Sequence, residues 1–263
     1  MIRALYSAAS GMSAQQLNVD TIANNLANAN TTAYKARRTQ FQDLVYQNLS
    51  QPGTASGQQS TIPSGLQVGL GTKPGANEIL FSQGSFAETD NPLDLTINGL
   101  GFFQVRQPSG ELAYTRDGSF QLDKSGNIVT SSGYLVEPNI QIPPTAQVIT
   151  IATDGTVSYT LPGNNATQVA GQVQLATFQN PAGLNGIGSN LYLPTDASGT
   201  ATVGAPGSTT GAGTIMQGYQ EQSNVSIVNE FINLIAAQRG YEASSKVVKA
   251  ADEMYQQVNN IAQ

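Results

Sequence analysis

Five aspartates, Asp90, Asp94, Asp117, Asp123 and Asp154, are the residues whose type best suits catalysis, because two convergent carboxylates are enough to hydrolyse a glycosidic bond. Their surroundings point elsewhere. Asp117 and Asp154 each precede glycine and read as turn residues, Asp94 lies beside the apolar run Leu95-Thr96-Ile97, and no pair is marked as convergent. Other chemistries lack their reagents. The 263 residues include no histidine and no cysteine, which removes Ser-His-Asp and Cys-His nucleophiles, His-ligated metals, thiolate chemistry and disulfides. Gly-x-Ser-x-Gly and Ser-x-x-Lys patterns do not occur. Gly99-Leu100-Gly101 opens like a dinucleotide-binding turn, but position 104 is Gln and the strand-like run Phe102-Phe103-Gln104-Val105 stands where a helix N-terminus is needed. The expectation is a non-enzyme without cofactor, metal or small-molecule substrate.

Charge excludes a further class. Net charge is −6, and the 11 Lys and Arg residues are too scattered to neutralise a phosphate backbone, so no nucleic-acid partner is expected. Lys35, Arg37 and Arg38 form the only basic cluster, read as a solvated turn or a local ion-pair site. Charged residues make up 11% of the chain, against about 25% in ordinary soluble domains. A surface of amides and hydroxyls makes contacts that salt screens weakly. Met1-Ile2-Arg3-Ala4-Leu5-Tyr6 leads into a polar stretch without a continuous apolar segment, so a cleaved secretory signal is not expected. Nor is there an apolar run of about 18 residues to span a bilayer as a helix.

The two ends share a pattern that the middle lacks. Leu5, Met12, Val19 and Leu26 recur every seven residues, with Ala8, Ile22 and Ala29 at companion positions and Gln15 as the polar exception. This predicts a helix of roughly 25 residues, about 40 Å long. Ile227, Leu234, Tyr241, Val248 and Tyr255 repeat at the same spacing beside Ala237, Ser244, Ala251 and Val258. Asn224 or Ser226 can cap this second helix, of about 35 residues, and Glu230 lies in its first turns, where the helix dipole favours a carboxylate. Either stripe could be an ordinary core face. Their places at opposite termini, around a β-rich middle, favour coiled-coil-like packing of one end on the other, within a subunit or among several.

Residues 31–76, punctuated by Pro52-Gly53, Pro63-Ser64-Gly65 and Pro74-Gly75, read as extended loop with room for short strands. Residues 77–222 read as all-β: short apolar runs alternate with turn sequences such as Arg116-Asp117-Gly118 and Lys124-Ser125-Gly126-Asn127. The predicted fold is α+β. Residues 1–30 and 224–263 form a helical core domain, 31–76 a loop-rich extended connector, and 77–223 an inserted all-β outer domain.

Whole strings are more specific than their parts. Gly11-Met12-Ser13-Ala14-Gln15-Gln16, Ala23-Asn24-Asn25-Leu26-Ala27-Asn28 and the stretch from Thr31 or Thr32 to Lys35 resemble the N-terminal signature of flagellar rod and hook proteins. Gly218-Tyr219, Glu221, Ser223-Asn224-Val225, Ala237-Gln238-Arg239, Tyr241-Glu242, Ser245-Lys246 and Ala251-Asp252-Glu253-Met254 resemble the C-terminal one. Gly99-Leu100-Gly101-Phe102-Phe103 and Tyr114-Thr115-Arg116-Asp117-Gly118-Ser119-Phe120 are similar to its β-region motifs. The resemblance is to the flagellar basal-body rod family, and Tyr46 to Pro63, followed by Ser64-Gly65-Leu66-Gln67, looks like the insertion of its distal-rod members. Ala36 within the basic cluster and the insertion tip Gly57-Gln58-Gln59-Ser60 depart from the pattern.

That resemblance implies a structural subunit of the bacterial flagellar basal body, in the periplasm-spanning rod, exported through the flagellum's own apparatus. Copies would stack helically, burying Leu5, Met12, Val19, Ile22, Leu26, Ile227, Leu234, Tyr241, Val248 and Tyr255 at the assembly interface. Asn24, Asn25, Leu26 and Asn28 would be signature residues, and Tyr46, Pro52, Gly53, Ile62, Pro63 and Leu66 would belong to a rod-stiffening insertion. Partners would be further copies, proximal rod proteins, hook or hook-cap proteins, outer bushing-ring proteins and the export apparatus. Two other readings stand beside it: a proximal rod or hook protein of the same family, and a β-rich enzyme or adhesin acting on cell-wall glycans.

Overall fold

Long runs of helix-forming residues at both ends fold as their periodicity predicts. In the computed structural model, which describes residues 2–51, 64–208 and 211–261, α1 spans Ile2–Ala27 and α2 spans Ile227–Ile261. α1 stops where Asn28 begins to bond locally: its carbonyl accepts the Thr31 N–H and its Oδ1 accepts the Thr31 hydroxyl, each at 3.1 Å. The left-handed residue at this exit is Ala33, at φ 56°, and no asparagine takes that role. Ser226 heads α2, its carbonyl accepting the Glu230 N–H at 2.9 Å. Asn224 serves elsewhere. Its Nδ2 donates to the Leu80 and Ser82 carbonyls at 2.8 and 3.1 Å, and its Oδ1 accepts the Ala36 N–H at 2.7 Å.

The chain is α+β, an N-terminal helix and a C-terminal helix flanking a β-rich middle, and it divides into two compact units. One comprises Met1–Ala27, Arg37–Ile79 and Ser226–Gln263; the other comprises Asn28–Ala36 and Leu80–Val225. The segment 31–76 is thus shared between them.

In the first unit the expected loop is largely antiparallel ribbon. β1 (Arg37–Asp43) pairs with β4 (Thr72–Ile79), and β2 (Tyr46–Ser50) with β3 (Leu66–Gly69). Pro74-Gly75, read as a chain breaker, is absorbed by a register shift: Gln40 faces Ala76 and Phe41 faces Pro74, so Gly75 bulges and proline's missing N–H breaks no regular ladder. α1 fastens to this ribbon by side chains. Asn25 acts as a surrogate strand neighbour, its Nδ2 donating to the Arg37 carbonyl at 2.8 Å and its Oδ1 accepting the Arg37 N–H at 2.9 Å. One turn earlier the Thr21 and Thr39 hydroxyls meet at 2.8 Å. Both Asn25 and Thr21 are buried, where such bonds replace lost hydration.

The second unit is built on Phe102–Arg106, which pairs antiparallel with Leu112–Thr115, Leu135–Glu137 and Leu175–Thr177 inside a nine-stranded sheet. A three-stranded sheet follows over Val148–Ile151, Thr156–Leu161 and Asn164–Gln172. Leu95–Asn98 pairs with Thr214–Gln217, and Phe86–Glu88 with Tyr219–Glu221, which returns the chain to where it entered. Leu95, Ile97, Phe103, Val105, Ile142 and Leu175 are the centre of one buried cluster. Gly118 shows how tight the enclosing turn is, since a Cβ there would stand 1.7 Å from the Leu95 carbonyl oxygen.

Candidate assembly interface

α1 and α2 pack on each other within the first unit, and only part of each seven-residue stripe is covered. Ala8, Ile22, Ala237 and Ala251 are buried; Leu5, Met12, Val19, Leu26, Leu234, Val248 and Tyr255 are half-buried; Ile227 and Tyr241 are exposed. A shallow groove lined by Gln16, Val19, Gln238, Tyr241 and Glu242 runs beside the seam.

A second apolar face went unread in the sequence. Val228, Phe231, Ile232 and Ile235 are 69%, 48%, 59% and 57% exposed, and Ile227 adjoins them at 43%. At about 100° per residue these five fall within an arc of about 140° over the first turns of α2. Spacings of three and four (228, 231, 232, 235) carry the signal, whereas the seven-residue step from Val228 to Ile235 ends at Glu242 and makes no sustained repeat. Large apolar side chains gathered on one helix face mark a surface that remains to be covered.

Of the insertion residues, Tyr46 opens β2 and Leu66 opens β3, and both are exposed. Pro52, Gly53, Ile62 and Pro63 lie outside the described residues. Among the signature asparagines, Asn25 holds β1 as described, Asn28 bonds Thr31, and Asn24 is exposed on α1.

The second unit contains an ion cluster whose members come from three motifs far apart in sequence. Glu221 Oε1 accepts from Lys35 Nζ at 2.6 Å and from the Gly84 N–H at 3.0 Å; its Oε2 accepts from Arg116 Nε at 3.1 Å. Arg116 Nη1 also donates to the Gly99 and Gly101 carbonyls at 2.8 Å, and Lys35 Nζ to the Ser82 carbonyl at 2.9 Å. The Lys35 and Glu221 side chains are 0% and 1% exposed. The solvated-turn reading of the basic cluster is therefore wrong for Lys35. A buried ammonium persists because a carboxylate and a carbonyl replace its water, and Glu221 is 186 residues away along the chain. Arg38 is the surface member, paired with Glu78 at 3.0 Å.

These surroundings set protonation. Burial pushes the Glu221 carboxyl up, but Arg116 and Lys35 together pull it down further, so it lies below its ordinary 4.5. Burial likewise pushes Lys35 below its ordinary 10.5 against the pull of Glu221. A carboxylate depressed on folding adds stability that is complete above the unfolded value and lost as pH falls through the folded one. Lys35, also lowered, has a contribution of the same sign, which rises as pH climbs toward its unfolded value far above the acid range, so the acid limb belongs to the carboxylates. The melting temperature of the β-rich unit is expected to fall as pH drops below about 4.5. Glu221→Gln should flatten that fall, measured by calorimetry across pH 3–6; equal slopes in both proteins would remove Glu221 from the acid response.

Four of the five aspartates have structural work. Asp94 is buried and accepts from Thr89 Oγ1, Asn91 Nδ2 and Gln220 Nε2 at 2.7, 2.9 and 2.8 Å. Asp117 Oδ1 closes a turn on the Ser119 N–H and hydroxyl. The Asn127 N–H holds Asp123 below its ordinary value, and the Thr156 N–H does the same for Asp154. Asp90 is exposed. Among the described residues no cluster of three potential ligands could hold a metal ion, and no helix is long and apolar enough to cross a membrane.

Known proteins are similar to this sequence over the whole chain. The family model described as flagella basal body rod protein matches residues 5–35, the flagellar hook protein FlgE/F/G D1 domain matches 96–159, and the flagellar basal body rod FlgEFG protein C-terminal matches 216–261. Lys35, Arg116 and Glu221 fall one in each matched segment. The flagellar basal-body rod protein FlgG of Caulobacter vibrioides is 49% identical over 261 residues, 99% of each chain. That of Borreliella burgdorferi is 47% identical over 263 residues, again 99% of each, and that of Bacillus subtilis is 39% identical over 265 residues, also 99% of each. The chain belongs to the FlgG family of flagellar basal-body rod proteins, structural components of the bacterial flagellar rod and not enzymes.

Proposed function

We propose that this rod protein polymerises helically into the distal part of the rod, the drive shaft that carries torque from the motor to the hook. The observation that carries the reading is the exposed apolar face of α2, Ile227, Val228, Phe231, Ile232 and Ile235, for which the described residues of the first unit supply no full cover. Fully burying a large apolar side chain stabilises by about 1.5–3 kcal/mol, so five that are roughly half exposed offer about 4–7 kcal/mol to a neighbouring copy. A heterologous contact that does not close on itself propagates as a helix of subunits.

In this reading residues 1–30 and 224–263 pack as a coiled-coil-like inner core. The stripe residues Leu5, Met12, Val19, Ile22, Leu26, Ile227, Leu234, Tyr241, Val248 and Tyr255 complete their burial there among several copies. Residues 77–223 form an inserted outer β domain, and 46–63, within the connector 31–76, brace neighbouring subunits and stiffen the rod. The partners are further copies along the axis, proximal rod and hook or hook-cap proteins at the ends, the bushing ring around the rod, and the export apparatus that delivers the subunit. Electron microscopy of the concentrated full-length protein tests it. The expected result is helical polymers with both chain ends lining a central channel; closed rings, or a chain that stays monomeric at every concentration, would overturn it.

A further inference from the structure

Each long helix contains one glycine, Gly11 in α1 and Gly240 in α2, and neither stands at a helix end where glycine would serve as a cap. In a helix interior each costs about 1 kcal/mol relative to alanine, so a close approach is the natural reason for both. They occupy reciprocal places. A Cβ at Gly11 would stand 3.5 Å from Ser244 Oγ, and one at Gly240 would stand 3.3 Å from both Cδ and Nε2 of Gln15. Residues 11 and 15 lie one turn apart, as do 240 and 244, so the helices run antiparallel here and each sets its glycine beneath a polar side chain of the other. The first distance is ordinary contact and the second is tighter than side chains normally keep. Ser244 satisfies its hydroxyl on the Gly240 carbonyl at 3.0 Å. Gln15, the polar break in the α1 stripe, has a buried Oε1 without a hydrogen-bond partner among the described residues.

We infer that Gln15 and Gly240 are the positioning residues that fix the register of α1 against α2. A buried carbonyl oxygen without a donor costs about 1–3 kcal/mol, so Gln15 is not there to maximise the stability of the seam. Gly240 is the single point on α2 without a Cβ, and a side chain as long as Gln15 closes against the helix backbone only there. A slip of one heptad sets Gln15 against a residue with a side chain and leaves the Gly240 notch empty. A polar side chain at one seam position selects a register in just this way, at a cost in stability. The register in turn decides which residues of α1 lie beside the exposed apolar turns at the start of α2. The inference concerns contacts within one chain and holds whether or not the chain polymerises as proposed above.

The chain has no cysteine, so introduced pairs report register directly. Gly11→Cys with Ser244→Cys reads the observed register, while Gly11→Cys with Ala237→Cys or Ala251→Cys reads slips of one heptad in either direction. Full-length protein, free and sedimented, is oxidised, and intrachain disulfide is scored by mobility without reductant. With Gln15 and Gly240 intact, the 11–244 pair should close and the two slipped pairs should stay open. Gln15→Ala or Gly240→Ala should raise a slipped pair from background to a yield comparable with the 11–244 pair. A merely structural role would lower all yields together without redistributing them. Absence of the 11–244 disulfide from both free and sedimented protein, or variants that still give the 11–244 product alone, would overturn the inference.

Discussion

Glu221→Ala is expected to destabilise the β-rich unit by about 3–5 kcal/mol, the usual cost of removing one partner from a buried ion cluster. The size follows from what is left behind. Among the described residues Glu221 is the only anion paired with these two cations, whose heads have almost no access to water, and its loss leaves Lys35 and Arg116 without a counter-charge. It also orphans the Gly84 N–H, which donates to Oε1 at 3.0 Å. Lys35→Met makes the contrast. It removes one of two positive charges, leaves the Arg116–Glu221 pair balanced, and takes one donor from the Ser82 carbonyl, which keeps Asn224 Nδ2 at 3.1 Å. Its cost should be about 1–2 kcal/mol, and an apolar replacement of similar volume can come close to neutral. At roughly 2–4 °C per kcal/mol for a unit of this size, Glu221→Ala lowers the calorimetric melting temperature by roughly 10 °C and Lys35→Met by only a few degrees. Equal drops would mean that the lysine contact, and not charge balance, holds the cluster together.

The cluster also shows where sequence reasoning stops. Lys35, Arg116 and Glu221 each stood in a signature string, and nothing local to any string linked it to the others, because the link is made by folding segments 105 and 186 residues apart. The helices were legible because their periodicity is local: α1 and α2 end within a few residues of where the stripes end. The β1–β4 ribbon was not, since the run of exposed positions from Gln40 to Asp43 and from Lys73 to Asn77 shows no alternation and its stabilisation comes from backbone pairing and from Asn25 and Thr21 of α1. Pro74-Gly75 misled for the same reason, as a bulge has no sequence period. The exposed face of α2 was missed through choice of period. A seven-residue repeat finds the line along which α1 and α2 meet, whereas Val228, Ile232 and Ile235 lie about a quarter-turn or more round the helix from it and repeat at three and four. The aspartates were read by type as possible acids and bases; the structure gives Asp94, Asp117, Asp123 and Asp154 hydrogen bonds that shape turns and strand ends.

That exposed face carries the second large expected effect. Ile232→Glu and Ile235→Glu, made singly, should abolish self-assembly at concentrations where the parent polymerises, while the melting temperature of the free chain stays within about 1 °C. Glutamate is a good helix former, so the substitution leaves the helix itself intact. Both isoleucines are more than half exposed in the chain, so little intrachain packing is lost. A copy docking on this face would instead have to bury a carboxylate against apolar neighbours and forgo roughly 1–2 kcal/mol of isoleucine burial. Together these cost about 3 kcal/mol or more per contact, and each 1.4 kcal/mol is a factor of ten, so the critical concentration should rise by at least about a hundredfold. Sedimentation across a concentration series measures it directly. Glu242, outside the five-residue face and already charged, gives the matching control: Glu242→Gln should leave the critical concentration within about twofold, because an exposed surface charge contributes little to a contact it does not enter. If both glutamate variants polymerise at the parent's critical concentration, α2 meets its neighbours through another surface, and the first turns of the helix are simply solvated.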